Sequence, residues 1–145
     1  MTHAELVERA ARWLRGTMRC DPVLTEYGCW ATPEQPDAFG VNSDGTVVVE
    51  CKTSISDFYA DGRKPYRRQP HYGMGRRRYY LTPRGLISPQ RLTLRPGWGL
   101  LEVVGRIIRV RRQSEIFAVH SNAEALLLRS AILHSRVDTE KGDHD

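Results

Sequence analysis

The feature that most constrains the fold is a run of β-branched residues that ends abruptly in charged ones. Residues 46–49 read Thr-Val-Val-Val, and Glu50, Cys51 and Lys52 follow at once. Three consecutive valines are typical of a strand that is buried on both faces. Upstream, residues 42–45 read Asn-Ser-Asp-Gly, which is turn chemistry of the hairpin kind. The sequence therefore predicts a β-hairpin in which residues 37–41 pair with residues 46–53.

The charged residues at the end of this strand indicate a metal site. Side chains alternate along a strand, so Glu50 and Lys52 share one face, whereas Cys51 points to the apolar side. The hairpin would bring Asp37 alongside Glu50, and two close carboxylates repel each other unless a divalent cation lies between them. Hard oxygen ligands favour Mg²⁺, and Lys52 beside the ion would orient water and neutralise phosphate charge. The pattern indicates metal-assisted hydrolysis of a phosphodiester.

These residues also match a known family. Pro36-Asp37, followed by Glu50-Cys51-Lys52, resembles the motif of the PD-(D/E)xK nuclease superfamily. Within the superfamily, the sequence most resembles small Holliday-junction-resolvase-like or VRR-type nucleases. The resemblance implies an α/β fold with a restriction-endonuclease-like core. Apart from the resemblance, the helical spacing of Leu6, Val7 and Ala10 predicts a helix over residues 2–15, and a second helix is predicted over residues 122–133. The two helices are expected to flank a mixed β-sheet of four to six strands.

The resemblance also implies roles for individual residues. Asp37 and Glu50 would bind the metal, the backbone carbonyl of Cys51 would add a third oxygen, and Lys52 would be the catalytic lysine. Many members of the superfamily add a carboxylate from the first helix. Glu5 is the preferred counterpart here, Glu8 is the second choice, and Glu26 on the next strand is the third. Mg²⁺ is the expected cofactor, Mn²⁺ would substitute for it, and a homodimer is among the expected partners because paired cuts need two sites.

The charges are distributed very unevenly along the chain. The whole chain of 145 residues has a formal net charge of +5, but residues 62–112 contain 14 basic residues and one acidic residue. Such a segment predicts contacts with a nucleic-acid backbone, which position a substrate without reading its sequence. The expected contact residues are Arg63, Lys64, Arg67, Arg68, Arg76, Arg77 and Arg78. Five aromatic residues are interleaved with them and offer rings for stacking on unpaired bases, namely Tyr66, Tyr72, Tyr79, Tyr80 and Trp98. Core packing is the preferred role for Trp98 and for one of Tyr79 and Tyr80, which face opposite sides of a strand.

Length and composition indicate one domain over residues 1–138, followed by a flexible tail over residues 139–145. No apolar run is long enough to cross a bilayer, so a cytoplasmic location and no membrane partner are expected. The three cysteines, Cys20, Cys29 and Cys51, form no close pair and are expected to be reduced thiols.

The predicted function is a metal-dependent nuclease that acts in repair, recombination or phage DNA processing. DNA is the expected substrate, and RNA is the alternative substrate. The alternative is a catalytically inactive nucleic-acid-binding module of the same fold within a larger complex. A third interpretation is a structural protein whose basic face meets an acidic partner.

Overall fold

In the computed structural model, residues 1–28, 32 and 34–142 are described, with side chains to residue 135. The strands are β1 (Val23–Thr25), β2 (Ala38–Asn42), β3 (Gly45–Cys51), β4 (Arg77–Pro83), β5 (Gly99–Val104) and β6 (Ile107–Arg112). The helices are α1 (His3–Gly16), α2 (Ile55–Asp61), α3 (Pro65–Arg68), α4 (Pro89–Leu92) and α5 (Ser121–Gly142), with a 3₁₀ turn at Pro70–Tyr72.

The six strands form one mixed sheet in the order β1-β2-β3-β4-β5-β6. β1, β2 and β3 are antiparallel neighbours, β3, β4 and β5 are parallel, and β6 returns antiparallel to β5. The predicted hairpin is confirmed, with Ala38 opposite Val49 and Asn42 opposite Gly45. The predicted α/β class with a mixed sheet between helices is likewise confirmed.

Helix α1 covers one face of the sheet. It begins after Thr2, whose hydroxyl accepts a hydrogen bond from the backbone N–H of Glu5 and so caps the helix. Its apolar side packs on alternate residues of β3, namely Val47, Val49 and Cys51. Cys20 and Cys51 are free thiols buried in this layer, as predicted, and Cys29 lies outside the described residues.

The opposite face is covered by α2, the loop after it, and the start of α5. Val48 and Tyr80 of the sheet meet Phe58 of α2 and Leu127 of α5 there. Helix α5 continues to Gly142, past the predicted helix end and into the segment predicted to be a flexible tail, whose mobility stays a prediction. None of the described helices is long and apolar enough to cross a membrane.

The two ends of the sheet have different compositions. β3 ends at Cys51, and we call this the motif end because Glu50 and Lys52 lie there. The β2–β3 turn at Asn42 and Gly45 marks the other end, which we call the hairpin end. β4 runs parallel to β3 and starts with Arg77 opposite Val47, so it starts near the hairpin end.

Candidate active site at the motif end of the sheet

Asp37 lies immediately before β2 and reaches across the hairpin to the end of β3. Its Oδ2 accepts a hydrogen bond of 2.8 Å from the backbone N–H of Cys51. The pairing of Ala38 with Val49 leaves Asp37 beside the last residues of β3, so the predicted proximity of Asp37 to Glu50 and Cys51 is confirmed.

Glu50 is a buried acid, with only 3% of its surface exposed. Burial raises its pKa well above the ordinary value; the positive charge of Arg67 opposes this rise, and nearby Asp37 adds to it. Nη2 of Arg67 lies 3.4 Å from Oε1 of Glu50. Because Cys51 belongs to the α1 layer, the predicted alternation along β3 is also confirmed.

Lys52 points toward a second buried carboxylate, at the end of α2. Its side chain is 11% exposed, and its Nζ lies 3.5 Å from Oδ1 of Asp61. Asp61 also accepts a hydrogen bond of 2.6 Å from the hydroxyl of Tyr80 and one of 2.8 Å from Nε of Arg67. The lysine of the motif is therefore held by a residue that sequence reasoning did not select.

Arg67 connects the buried acids into one network. Its Nη1 donates to Oε1 of Glu34 at 2.7 Å, and the other oxygen of Glu34 accepts from the backbone N–H of Met74 at 2.7 Å. Sequence reasoning missed Glu34 as well as Asp61. A signal did exist for Asp61, since it lies three residues after the core residue Phe58 and so shares its side of α2.

A smaller polar cluster lies on the α1 side of Asp37. The Nε2 of His3 is 3.4 Å from Oδ2 of Asp37, and its Nδ1 is 3.3 Å from Oε1 of Glu26. Single ligand atoms of these three side chains all lie within 4.8 Å of one another. Glu26, the third of the predicted alternatives, is thus the acid that adjoins Asp37.

Glu5, the preferred alternative, does not join this cluster, and neither does Glu8. Glu5 is exposed and lies two residues beyond His3 on α1. Residues two apart on a helix project to different sides, so Glu5 turns away when His3 turns toward Asp37. The structure thus places Glu26, and not Glu5 or Glu8, next to Asp37, while the identity of an additional metal ligand stays a prediction.

Two arginines of the predicted nucleic-acid surface are buried instead. Arg67 belongs to the carboxylate network, and Arg78 is fully buried, with its guanidinium bonded to the carbonyls of Gly75, Pro70 and Ala118. Long charged side chains are rarely buried unless they are paired; Arg67 forms ion pairs with three carboxylates, and Arg78 donates to three carbonyls. Arg67 and Arg78 therefore hold the protein together rather than facing a nucleic acid.

The other five residues of the predicted nucleic-acid surface fall into two groups. Arg63 and Arg68 are exposed and Lys64 is half-buried, and all three lie in the segment between α2 and the 3₁₀ turn, with Lys64 beside Asp61. Arg76 and Arg77 lie at the hairpin end, where they bond to the carbonyls of Asp44 and Ser114 respectively. The continuous basic segment of the sequence is therefore divided between the two ends of the sheet.

The aromatic residues mostly take the packing role. Tyr66, Tyr79 and Tyr80 are buried, and Trp98 stacks on Tyr80 with ring centroids 4.4 Å apart. Of the five aromatic residues singled out in the sequence, only Tyr72 is exposed, at 48%. Base stacking by the other four is excluded in this structure because their rings are covered.

Comparison with known proteins identifies the fold and no function. No protein-family model matches the chain, and no curated protein matches it. Among solved structures, the chain is similar to the SPO1766 protein of unknown function from Silicibacter pomeroyi, with a TM-score of 0.67 and 20% sequence identity. The match covers 97% of this chain and 90% of that one. At this identity the likeness establishes a shared fold and nothing more.

Proposed function

We propose that the protein is a metal-dependent nuclease that hydrolyses phosphodiester bonds in DNA. The observation that carries the proposal is the convergence of Asp37, Glu50 and Lys52 at one end of the β2–β3 hairpin. Asp37 is bonded to the backbone next to Glu50, and Lys52 follows two residues later on the same face. This order and placement are what the motif Pro-Asp followed by Glu-x-Lys requires.

The donor set fits a divalent cation. Asp37, Glu50 and the carbonyl of Cys51 would hold the ion, since hard oxygen atoms suit Mg²⁺ and Mn²⁺. Glu26 and His3 adjoin Asp37 and extend this set with one more oxygen and an imidazole nitrogen. Burial is the main cause of the raised pKa of Glu50, and the neighbouring acids add to it; a bound cation would favour the charged carboxylate against both. When bound, the ion supplies Lewis-acid polarisation of the phosphate and of an attacking water.

The chain's own groups have distinct roles in this proposal. Lys52 orients the attacking water and places positive charge beside the phosphate. Asp61 fixes the Lys52 ammonium through the 3.5 Å ion pair, so that this charge is in place before substrate arrives. The exposed Arg63 and Arg68 contact the DNA backbone without selecting a sequence. Repair, recombination or phage DNA processing is the corresponding biological setting, with a homodimer as the form that makes paired cuts.

One observation favours the alternative of a catalytically inactive DNA-binding module. The Arg67 guanidinium lies 3.4 Å from Glu50 and neutralises the acid that would otherwise hold the metal. In that case the protein binds DNA with a salt-dependent affinity but does not cut it.

The proposed nuclease activity is tested with purified protein on linear, nicked, flap and four-way DNA substrates, in Mg²⁺ and in Mn²⁺. Cleavage is expected with both ions, and Ca²⁺ is expected to allow binding without turnover. Asp37→Asn is expected to slow cleavage by on the order of 1,000-fold while DNA binding persists. The matched control is Asp44→Asn, which changes an exposed aspartate at the other end of the hairpin.

If the wild type cleaves DNA and Asp37→Asn cleaves it equally fast, the reaction occurs at a different site of the protein. Salt-sensitive binding without cleavage of any substrate would select the inactive module. Absence of both would favour the third interpretation, an acidic protein partner.

A further inference from the structure

Asp61 occupies an unusual position for an acidic residue. It is the last residue of α2, and its side chain is fully buried. The Oδ2 atom accepts hydrogen bonds from Arg67 and Tyr80. The Oδ1 atom faces two ammonium groups, with Nζ of Lys52 at 3.5 Å and Nζ of Lys64 at 3.3 Å. A single oxygen therefore gathers two lysines that come from different segments.

Asp61 shares its one negative charge among three cations. It faces the ammonium groups of Lys52 and Lys64 and the guanidinium of Arg67, which also pairs with two further buried acids. Two ammonium groups repel each other, and the shared oxygen offsets this repulsion. Among the described residues, Oδ1 has no hydrogen-bond partner of good geometry, so the ion pairs leave N–H donors of both lysines uncommitted.

The two lysines also differ in exposure. The Lys52 side chain is 11% exposed and the Lys64 side chain is 43% exposed. They form a gradient from the buried motif residue to the surface, on the side of the sheet where Glu50 lies. An anion that approaches from solvent meets Lys64 first and Lys52 next.

We propose that Lys52 and Lys64 form a single binding site for one phosphate group of the DNA backbone, with Asp61 as the positioning residue that holds them together. A phosphodiester suits the pair because it carries one negative charge and two unesterified oxygens, one for each ammonium. The proposal rests on the proposed function and deepens it, because it names a second cation that contacts the substrate. Lys64 thereby differs from Arg76 and Arg77, whose side chains bond to backbone carbonyls instead.

The test compares Lys64→Ala with Arg15→Ala, using binding of a short duplex DNA in Ca²⁺ over a series of salt concentrations. Both variants remove one positive charge, but Arg15 is exposed in the last turn of α1, in the layer on the opposite face of the sheet. Lys64→Ala is expected to weaken binding about tenfold and to reduce the slope of log affinity against log salt by about 1. Arg15→Ala is expected to change neither, and Lys64→Arg to restore most of the affinity.

A double-mutant cycle tests whether the two lysines act on the same phosphate. If they do, Lys52→Ala combined with Lys64→Ala weakens binding by less than the product of the two single effects, because either change already disrupts the shared site. Independent effects that multiply would overturn the proposal, as would equal salt slopes for Lys64→Ala and Arg15→Ala. Thermal unfolding of every variant shows whether the fold is kept.

Binding and cleavage separate this proposal from the proposed function. If the wild type binds DNA without cutting it, the nuclease proposal fails, and the cycle still tests the lysine pair by affinity alone. If the wild type cuts DNA in Mg²⁺ and the cycle shows no coupling, the lysine pair is rejected while the nuclease proposal stands.

Discussion

Two arginines are buried on the same side of the sheet, and the protein compensates their positive charges in different ways. Arg67, near the motif end, ion-pairs with Glu34, Glu50 and Asp61. Among the described residues, the guanidinium of Arg78 in β4 donates to backbone carbonyls alone, and it lies 4.3 Å from the ring centroid of Phe117. Burial lowers the pKa of both, but the three carboxylates raise that of Arg67 well above its ordinary value, whereas the pKa of Arg78 falls to about 10.

The difference shows where the protein concentrates charge. Carbonyl oxygens satisfy a guanidinium as hydrogen-bond acceptors, and they stay neutral when it is removed. Carboxylates become unpaired charges when their cation is removed, which costs far more. The Arg67 guanidinium therefore holds three acidic side chains together, next to the residues that we propose for catalysis. Arg78 instead connects segments of the backbone and gathers no acids.

The largest effect expected from this comparison is on stability. Arg67→Met leaves three buried carboxylates without their shared cation, so we expect the free energy of unfolding to fall by about 3–5 kcal/mol. Arg78→Met leaves three carbonyls without a donor, and a loss of about 1–3 kcal/mol is expected. Urea unfolding at neutral pH measures both. Equal losses would mean that the acids near Arg67 are already neutral in the folded protein.

A second prediction concerns how the stability contributed by Asp61, a member of the Arg67 network, depends on pH. Burial alone would raise the pKa of Asp61, but Arg67, Lys52 and the hydrogen bond from Tyr80 hold it well below the ordinary value of 3.8. Asp61 therefore contributes stability above that pH, and the contribution is lost as the pH falls toward the lowered pKa.

Unfolding by urea between about pH 6 and pH 2.5 tests this dependence. Asp61→Asn is expected to be less stable than the wild type at pH 6. The difference between their free energies of unfolding is expected to become smaller below about pH 4. Asp57→Asn, on the exposed side of α2, is the matched control and is expected to show no such narrowing. A gap that stays constant with pH would show that Asp61 is protonated in the folded protein.

The smallest expected effect concerns two pairs of arginines, the exposed Arg63 and Arg68 and the pair at the hairpin end, of which Arg76 is exposed and Arg77 half-buried. If DNA lies over the motif end, Arg63→Ala with Arg68→Ala is expected to reduce the salt slope of binding by about 2. Arg76→Ala with Arg77→Ala is expected to reduce it by less, since both side chains already bond to carbonyls. The opposite ranking would place the DNA along the hairpin end.

Much of the scaffold could be predicted because it depends on neighbours in the sequence. Turn residues 42–45, the valine run and the helical spacing of Leu6, Val7 and Ala10 each specify a local element. The alternation along β3 correctly separated Glu50 from Cys51, and the hairpin correctly brought Asp37 to their level.

The site was only partly predictable, because its supporting contacts join distant segments. Glu34 and Arg67 lie in loops and short helices where no periodicity marks a buried position. Arginine-rich sequence looks the same whether a guanidinium is exposed, as in Arg68, or fully enclosed, as in Arg78. The choice among Glu5, Glu8 and Glu26 likewise depended on how α1 is rotated against the sheet.

The amino-acid sequence by itself determined the hairpin, the helices on both sides of the sheet, and the placement of Asp37, Glu50 and Lys52 at one end of it. Local backbone preferences and side-chain alternation are enough for that, because each acts over a few residues. Only the tertiary structure decided which charges are paired. Arg67 meets Glu34 and Asp61, and Asp61 meets both lysines, because packing of the loops over the sheet buries them together. A buried charge must find its partner wherever the fold supplies one, and that requirement has no signature in local sequence.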